Sequence, residues 1–144
     1  MKLKQISLFL ENRPGHLAAA CRKLADIGLN VEAMALADTE NFGILRFLVR
    51  DWEKAVQVCK QLGLVTKVTD VLAVSVPSRP GGLADLLSIM EKAGVNIEYM
   101  YGFNFHPSKK AVIIIRSDDP DKALKQFLSE GVDVISDKSL FADA

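Results

Sequence analysis

The sequence predicts an α+β protein built from two successive βαββαβ units, and three observations carry that prediction. A stretch of 22 residues marked by proline and glycine occurs twice, 66 residues apart. Around each copy, period-two stretches and helical stretches follow one another in the same order. Each unit then has a sheet with one apolar face and two amphipathic helices to cover it, a two-layer arrangement. With right-handed crossovers, the βαββαβ order gives the ferredoxin-like split arrangement and an antiparallel sheet.

The repeat is explicit. Arg13-Pro14-Gly15-His16-Leu17-Ala18 returns as Arg79-Pro80-Gly81-Gly82-Leu83-Ala84. Gly28-Leu29-Asn30-Val31-Glu32 is answered by Gly94-Val95-Asn96-Ile97-Glu98, and Met34 by Met100. Nine of the 22 positions from 13 to 34 are identical to those from 79 to 100, mostly at turns and helix starts. After a two-residue insertion the match continues at an offset of 68, pairing Asp51, Lys54, Ala55 and Gly63 with Asp119, Lys122, Ala123 and Gly131. Duplication explains this order of matches.

The elements follow in turn. Ile6, Leu8 and Leu10 alternate with Gln5, Ser7 and Phe9, and Leu72, Val74 and Val76 alternate around Ala73 and Ser75, so each half opens on a strand. Leu17, Ala20, Cys21 and Leu24 form one helical stripe, matched by Leu83, Leu86, Leu87 and Met90. Pro14 and Pro80 suit the start of these helices, and Gly28 and Gly94 their ends. The second strand is expected over Val31–Ala37 and Ile97–Phe105, the third over Gly43–Val49 and Ala111–Arg116. A second helix carries Ala55, Val58, Cys59 and Leu62, then Ala123, Phe127 and Leu128 in the copy, with Gly63 and Gly131 as stops. A fourth strand follows at Val65–Val68 and Val132–Ile135. Little more than Thr69-Asp70 separates the two units, so the domains are expected at 1–70 and 71–144. Lys138 to Ala144 has no copy and reads as a tail or an edge strand.

Composition removes several function classes. Eighteen basic and 18 acidic residues leave no net charge, which argues against a dedicated binder of nucleic acid or membrane surfaces. Aromatics at 7% give no obvious base-stacking platform. At 144 residues the chain is short for a large catalytic fold with its own cofactor site, and no cofactor is expected. The start of the chain lacks a signal-peptide core and no apolar run reaches membrane-spanning length, so a cytoplasmic protein is expected. Cys21 and Cys59 sit in apolar helical patterns and read as buried free thiols in a reducing compartment.

Two matched loops are the functional candidates: Glu11-Asn12-Arg13-Pro14-Gly15-His16 and Pro77-Ser78-Arg79-Pro80-Gly81-Gly82. Glycine allows a ligand close to the main chain, and the following residues open a helix whose first amides have no internal partner. Those N–H groups and the helix dipole favour an anion such as an α-carboxylate. Asn12 and Ser78 are placed to cap the helix or to aim an oxygen at a ligand. The plainer reading is a tight turn, because Pro and Gly are favoured at helix starts in any protein. Asn30 and Asn96, each just after a helix-ending glycine, offer a donor and an acceptor for a small zwitterion, or they cap the turn.

These residues carry a family resemblance. Each half resembles an ACT domain, the small ligand-sensing module of amino-acid metabolism, through Arg-Pro-Gly-x-Leu at 13–17 and 79–83 and Gly-x-Asn-Val/Ile at 28–31 and 94–97. The resemblance runs to about Asp137. It implies paired domains that bind a free amino acid where the glycine loop of one meets the second strand of its neighbour. The implied contacts are Asn12, Arg13, Pro14, Gly15, His16 and Leu17 in one loop, and Ser78, Arg79, Pro80, Gly81, Gly82 and Leu83 in the other. Asn30 and Asn96 would reach across the pairing interface. Many family members have Asp where this chain has Asn12 and Ser78, and His16 faces Gly82 at the equivalent place, so the two sites are chemically unequal.

Elsewhere the residues read as structural. His16 and His106 are the only histidines and neither has companions at metal spacing, so no metal is expected. Asp118, Asp119 and Asp121 precede a helix and complement its dipole. Lys109-Lys110 reads as a solvated turn. Tyr99, Tyr101, Phe103 and Phe105 alternate on one face of a strand and read as core or interface. The expected function is regulatory, not enzymatic: an amino-acid-binding protein, homodimeric, with a separate metabolic enzyme as a possible partner. The alternative is a protein–protein interaction subunit of a metabolic enzyme whose loops are plain turns.

Overall fold

The computed structural model of the chain describes residues 1–11, 13–38, 41–105 and 109–142. Its elements are β1 (Leu3–Glu11), α1 (His16–Asp26), β2 (Ala33–Asp38), β3 (Phe42–Leu48), α2 (Trp52–Gln61), β4 (Val65–Pro77), α3 (Gly82–Ala93), β5 (Ile97–Phe105), β6 (Lys110–Ser117), α4 (Pro120–Ser129), β7 (Asp133–Ile135) and α5 (Asp137–Leu140). The two βαββαβ units are present, and their strand pairs are antiparallel.

Two details differ from the sequence reading. The last strand of the first repeat and the first strand of the second are one uninterrupted strand, β4. The stretch from Val65 to Val76 holds neither Gly nor Pro and alternates β-branched residues, so nothing local breaks it. The residues after Ile135 form a short helical turn, α5, in place of a tail or edge strand; the Asp137 carboxylate accepts from the Lys138 amide there.

The compact units are Lys4–Thr69 with the stretch from Leu140, and Asp70–Ser139 with Met1–Leu3. Each chain end therefore counts with the opposite repeat, unlike a simple cut at residue 70. Polar contacts within each unit show why. Lys2 Nζ lies 2.9 Å from the Asp121 carboxylate and 3.8 Å from that of Asp70. Asp121 thereby raises the pKa of the Lys2 ammonium. In the other unit, the Arg50 guanidinium donates to the carbonyl of Phe141.

In the first unit, β1 and β2 both pair with β3. Ile6, Leu8 and Leu10 of β1 meet Leu45 and Phe47 of β3 and Val49, under Ala20 and Leu24 of α1 and Ala55 and Cys59 of α2. The second unit shows the full order β7-β4-β6-β5. Its core joins Leu72, Val74, Val76 and Ile115 to Leu86 and Met90 of α3 and to Ala123 and Phe127 of α4. Burial of such side chains, at roughly 25 cal/mol per Å² of apolar area, holds helices to sheet. The cores are the alternating positions of the strands and the stripes of the helices, as the periodicity predicts. Cys59 is fully buried, whereas Cys21 is half-buried.

Asp51 and Asp119 cap α2 and α4, each accepting from an amide three residues on, Lys54 or Lys122, at 3.1 Å. The capping acids thus do local structural work, as the sequence suggests for the Asp118–Asp121 cluster.

Candidate functional site

The strand register places equivalent residues in equivalent rows. On the helix-facing side of the first unit, Leu10 of β1, Gly43 of β3 and Asp38 of β2 lie side by side, followed by Leu8, Leu45 and Leu36. In the second unit the corresponding rows are Val76, Ala111 and Asn104, then Val74, Ile113 and Gly102. Each row at the sheet end passes beneath the loop that opens the first helix of its unit.

A cleft forms at both places. The first, about 590 Å³, is walled by Arg13, Pro14, Gly15, Leu17 and Ala18, with Leu10, Glu11, Gly43, Leu36 and Asp38 below. The second, about 520 Å³, is walled by Ser78, Arg79, Pro80 and Leu83, with Val76, Pro77, Ala111, Ile113, Gly102, Phe103 and Asn104. Both volumes fall in the roughly 300–1,000 Å³ span of small-molecule sites.

The loops share a backbone device. Gly15 and Gly81 are the N-caps of α1 and α3, with φ of 88° and 87°, a left-handed conformation that a side chain disfavours. Among the described residues no side chain caps either helix, so Ser78 does not cap α3. The His16 and Gly82 amides close tight turns on the Arg13 and Arg79 carbonyls, at 3.3 and 3.0 Å. The first helical bond in α1 comes from Ala19, in α3 from Asp85. The amides of Leu17 and Ala18, and of Leu83 and Ala84, precede it and have no carbonyl four residues back within the helix.

The arginines are held differently. Arg13 Nε lies 3.0 Å from Glu11, so its charge is offset inside the cleft. Arg79 donates to Asp85 on α3 at 2.7 Å and to the Pro80 carbonyl at 3.0 Å. Asp85 faces a separate groove of about 330 Å³ on the other side of the loop, lined also by Gly82, Lys110 and Asp133. Lys109 lies in an exposed turn, and Lys110, also exposed, opens β6 with its ammonium 3.7 Å from the Asp133 carboxylate.

Of the residues named from sequence, Arg13, Pro14, Gly15 and Leu17 line the first cleft, and Ser78, Arg79, Pro80 and Leu83 the second. His16, exposed at the first turn of α1, does not line its cleft, and neither Gly81 nor Gly82 lines the second. A Cβ on Gly82 would stand 2.3 Å from the Pro77 carbonyl oxygen, so close packing keeps a side chain out of that position. Asn30 and Asn96 line neither cleft. The Asn30 amide donates to Glu32 at 2.7 Å, and the backbone of Asn96 donates to Asp118 at 3.0 Å. Asn12 and His106 lie outside the described residues, as does the Phe105 side chain. The aromatic row is exposed at Phe103 and half-buried at Tyr99 and Tyr101.

Sequence reasoning missed Leu36, Asp38, Gly102 and Asn104. Their signal was available in part: Leu36 and Gly102, like Asp38 and Asn104, are 66 residues apart, in phase with the repeat. Among the described residues no three metal-ligating side chains cluster, and no helix is long and apolar enough to cross a membrane.

Two repeats of helix-covered antiparallel strands, each with a glycine-capped loop at the start of its first helix, define a tandem small-domain α+β protein. Comparison makes the class specific: the ACT domain pair family matches residues 1–143, and the chain belongs to that family. A crystallised protein from Bacteroides thetaiotaomicron is 36% identical, with a TM-score of 0.92 over 98% of this chain and 96% of that one. The ligand-free regulatory subunit of aspartate kinase from Thermus thermophilus shares the fold at 19% identity, with a TM-score of 0.66 over 88% and 91% of the two chains. Its counterpart from Thermus flavus is similar, at 20% identity and a TM-score of 0.64 over 88% and 90%. No match to the chain was found among curated proteins.

Proposed function

We propose that this ACT domain pair is a regulatory protein of amino-acid metabolism that holds a free amino acid at its helix-opening loops. The observation that carries the reading is the pair of clefts at equivalent positions of the repeat, each between a glycine-capped loop and the second strand of the same unit. In the first cleft the Leu17 and Ala18 amides face the side where a carboxylate gains from the helix dipole. Binding shifts an equilibrium only by the difference in affinity between two states, so the output is a change in self-association or in docking to a separate enzyme. No catalytic role is proposed.

Association as a homodimer belongs to the same reading. Met34 and Phe42 are about half exposed and Phe103 more so, and β2 and β5 each pair with one described strand only. Asn30 and Asn96, outside both clefts, would join a site only from a partner chain.

The test is a thermal-shift screen of the twenty amino acids on the full chain, with calorimetry on hits and on Gly15→Val and Gly81→Val. A stabilising amino acid whose effect is lost in one variant is expected. Silence across the set removes the ligand claim and leaves the interaction-subunit reading.

A further inference from the structure

The two clefts share a plan but differ in charge. The ionisable residues lining the first are Glu11, Arg13 and Asp38. Arg13 is matched by Glu11, which leaves the Asp38 carboxylate, at the end of β2, without a counter-charge among the described residues. Among the described residues that line it, the second cleft has no carboxylate; Asn104 occupies the row position of Asp38, and the lining cation, Arg79, is matched by Asp85 on α3. Among the described residues the first cleft is therefore net negative, and the second carries no net charge.

The apolar surfaces differ as well. Leu10, Leu17, Leu36 and Pro14 give the first an aliphatic lining without an aromatic ring, and Leu36 is 53% exposed beside Asp38. A ligand side chain covering Leu36 removes its exposed area from water. In the second cleft Gly102 replaces Leu36, and Phe103 lies beside it. Gly102 cannot be extended, because a Cβ there would stand 2.3 Å from the Val112 carbonyl oxygen.

An ammonium group leaving water needs a counter-charge, and a carboxylate acceptor binds it more strongly than an amide does. Resting on the reading that these clefts hold small molecules, we infer that they have diverged in specificity. Asp38 makes the first cleft the receptor for a free amino acid with an aliphatic side chain, and the second, with the neutral Asn104 in that place, lacks the counter-charge such a ligand needs. Loop differences at positions 12, 16, 78 and 82 already make the repeats unequal; the decisive difference lies on the strand beneath.

The experiment uses the full chain, calorimetry and ¹⁵N NMR, with L-leucine, L-isoleucine and L-valine as probes and 4-methylpentanoate as the analogue lacking the ammonium. One site per chain is expected for the best aliphatic probe, with shifts at the Ala18 and Gly43 amides and not at Leu83 and Ala111. Asp38→Asn should weaken that probe by at least about tenfold while leaving 4-methylpentanoate unchanged. Asn104→Asp should add a second site, a gain that misfolding cannot mimic. Equal affinity in Asp38→Asn, two equivalent sites in the native protein, shifts confined to Leu83 and Ala111, or binding of only charged or aromatic amino acids overturns this inference and leaves the functional reading standing. No binding by any of the twenty amino acids overturns both.

Discussion

Giving the second unit the residue of the first, Gly102→Leu, looks conservative when the repeats are aligned, because Leu36 holds the equivalent place. The geometry says otherwise. A Cβ at position 102 would stand 2.3 Å from the Val112 carbonyl oxygen, 2.8 Å from Ile113 Cδ1 and 3.1 Å from Ile113 Cα. The first is about 1 Å inside the 3.4 Å at which ordinary contact begins, and two of the three obstacles are backbone. Strand β5 must therefore draw away from β6 around the pairs Tyr101↔Ile114, Gly102↔Ile113 and Phe103↔Val112. Losing two or three backbone hydrogen bonds at about 1 kcal/mol each costs about 2–3 kcal/mol. In urea, with a slope of about 2 kcal/mol per molar for a chain of this size, that lowers a midpoint by about 1–1.5 M.

The chain supplies its own reporters for this experiment. Its two tyrosines, Tyr99 and Tyr101, both lie in β5, and its one tryptophan, Trp52, begins α2 of the other unit. The tyrosine-detected transition of Gly102→Leu should move by the full amount and the tryptophan-detected one by less. The control Leu36→Gly trims a half-exposed side chain and places Gly in a strand, for a cost of about 1–2 kcal/mol. A Gly102→Leu protein with the native midpoint by tyrosine emission would refute the close approach of β5 to β6, and with it the account of the second cleft.

Further outcomes follow from the cores and caps. Burial, reinforced by the proximity of Cys21, pushes the Cys59 thiol up to about 11 from 9.0. The folded state thus favours the protonated thiol, so its contribution is fully present below pH 9 and is lost as pH rises through about 11. Urea midpoints should fall across that window in the native protein and fall less in Cys59→Ala; parallel profiles would contradict the assignment. At neutral pH Ellman's reagent should modify half-buried Cys21 and reach Cys59 only on unfolding, read by counting thiols with and without urea. Asp51→Ala and Asp119→Ala should each cost about 1 kcal/mol in thermal melts, the usual worth of an N-cap, whereas Asp118→Ala at the neighbouring position should leave the α4 cap bond intact.

Features set by neighbours in the chain were legible at once. Gly28, Gly63, Gly94 and Gly131 all have positive φ at helix ends, where the sequence places helix stops. The Ile97–Phe105 strand matches its expected limits, because its alternation defines it locally. The continuity of β4 was harder to read: Thr69-Asp70 marks the repeat boundary, yet nothing in those residues prevents an extended backbone. The loops were found because Arg-Pro-Gly is a local signature. Asp38 and Asn104 were not, since a residue near the end of a strand looks like a turn residue until its register is known.

The order of residues thus determined by itself the duplication, the helices and strands, the two glycine-capped loops and the family to which they belong. These rest on periodicity, turn chemistry and matched spacing, all of which act over a few residues. Which side chains meet beneath the loops was decided only by the tertiary structure. Pairing of β2 with β3 and of β5 with β6 sets which residue ends each row, and a shift of one position would turn Asp38 and Asn104 to the opposite face. Non-local register, fixed by burying Leu45 and Phe47 in one core and Ile115 in the other, places the Asp38 carboxylate on the second strand of one cleft and the Asn104 amide at the same place in its twin.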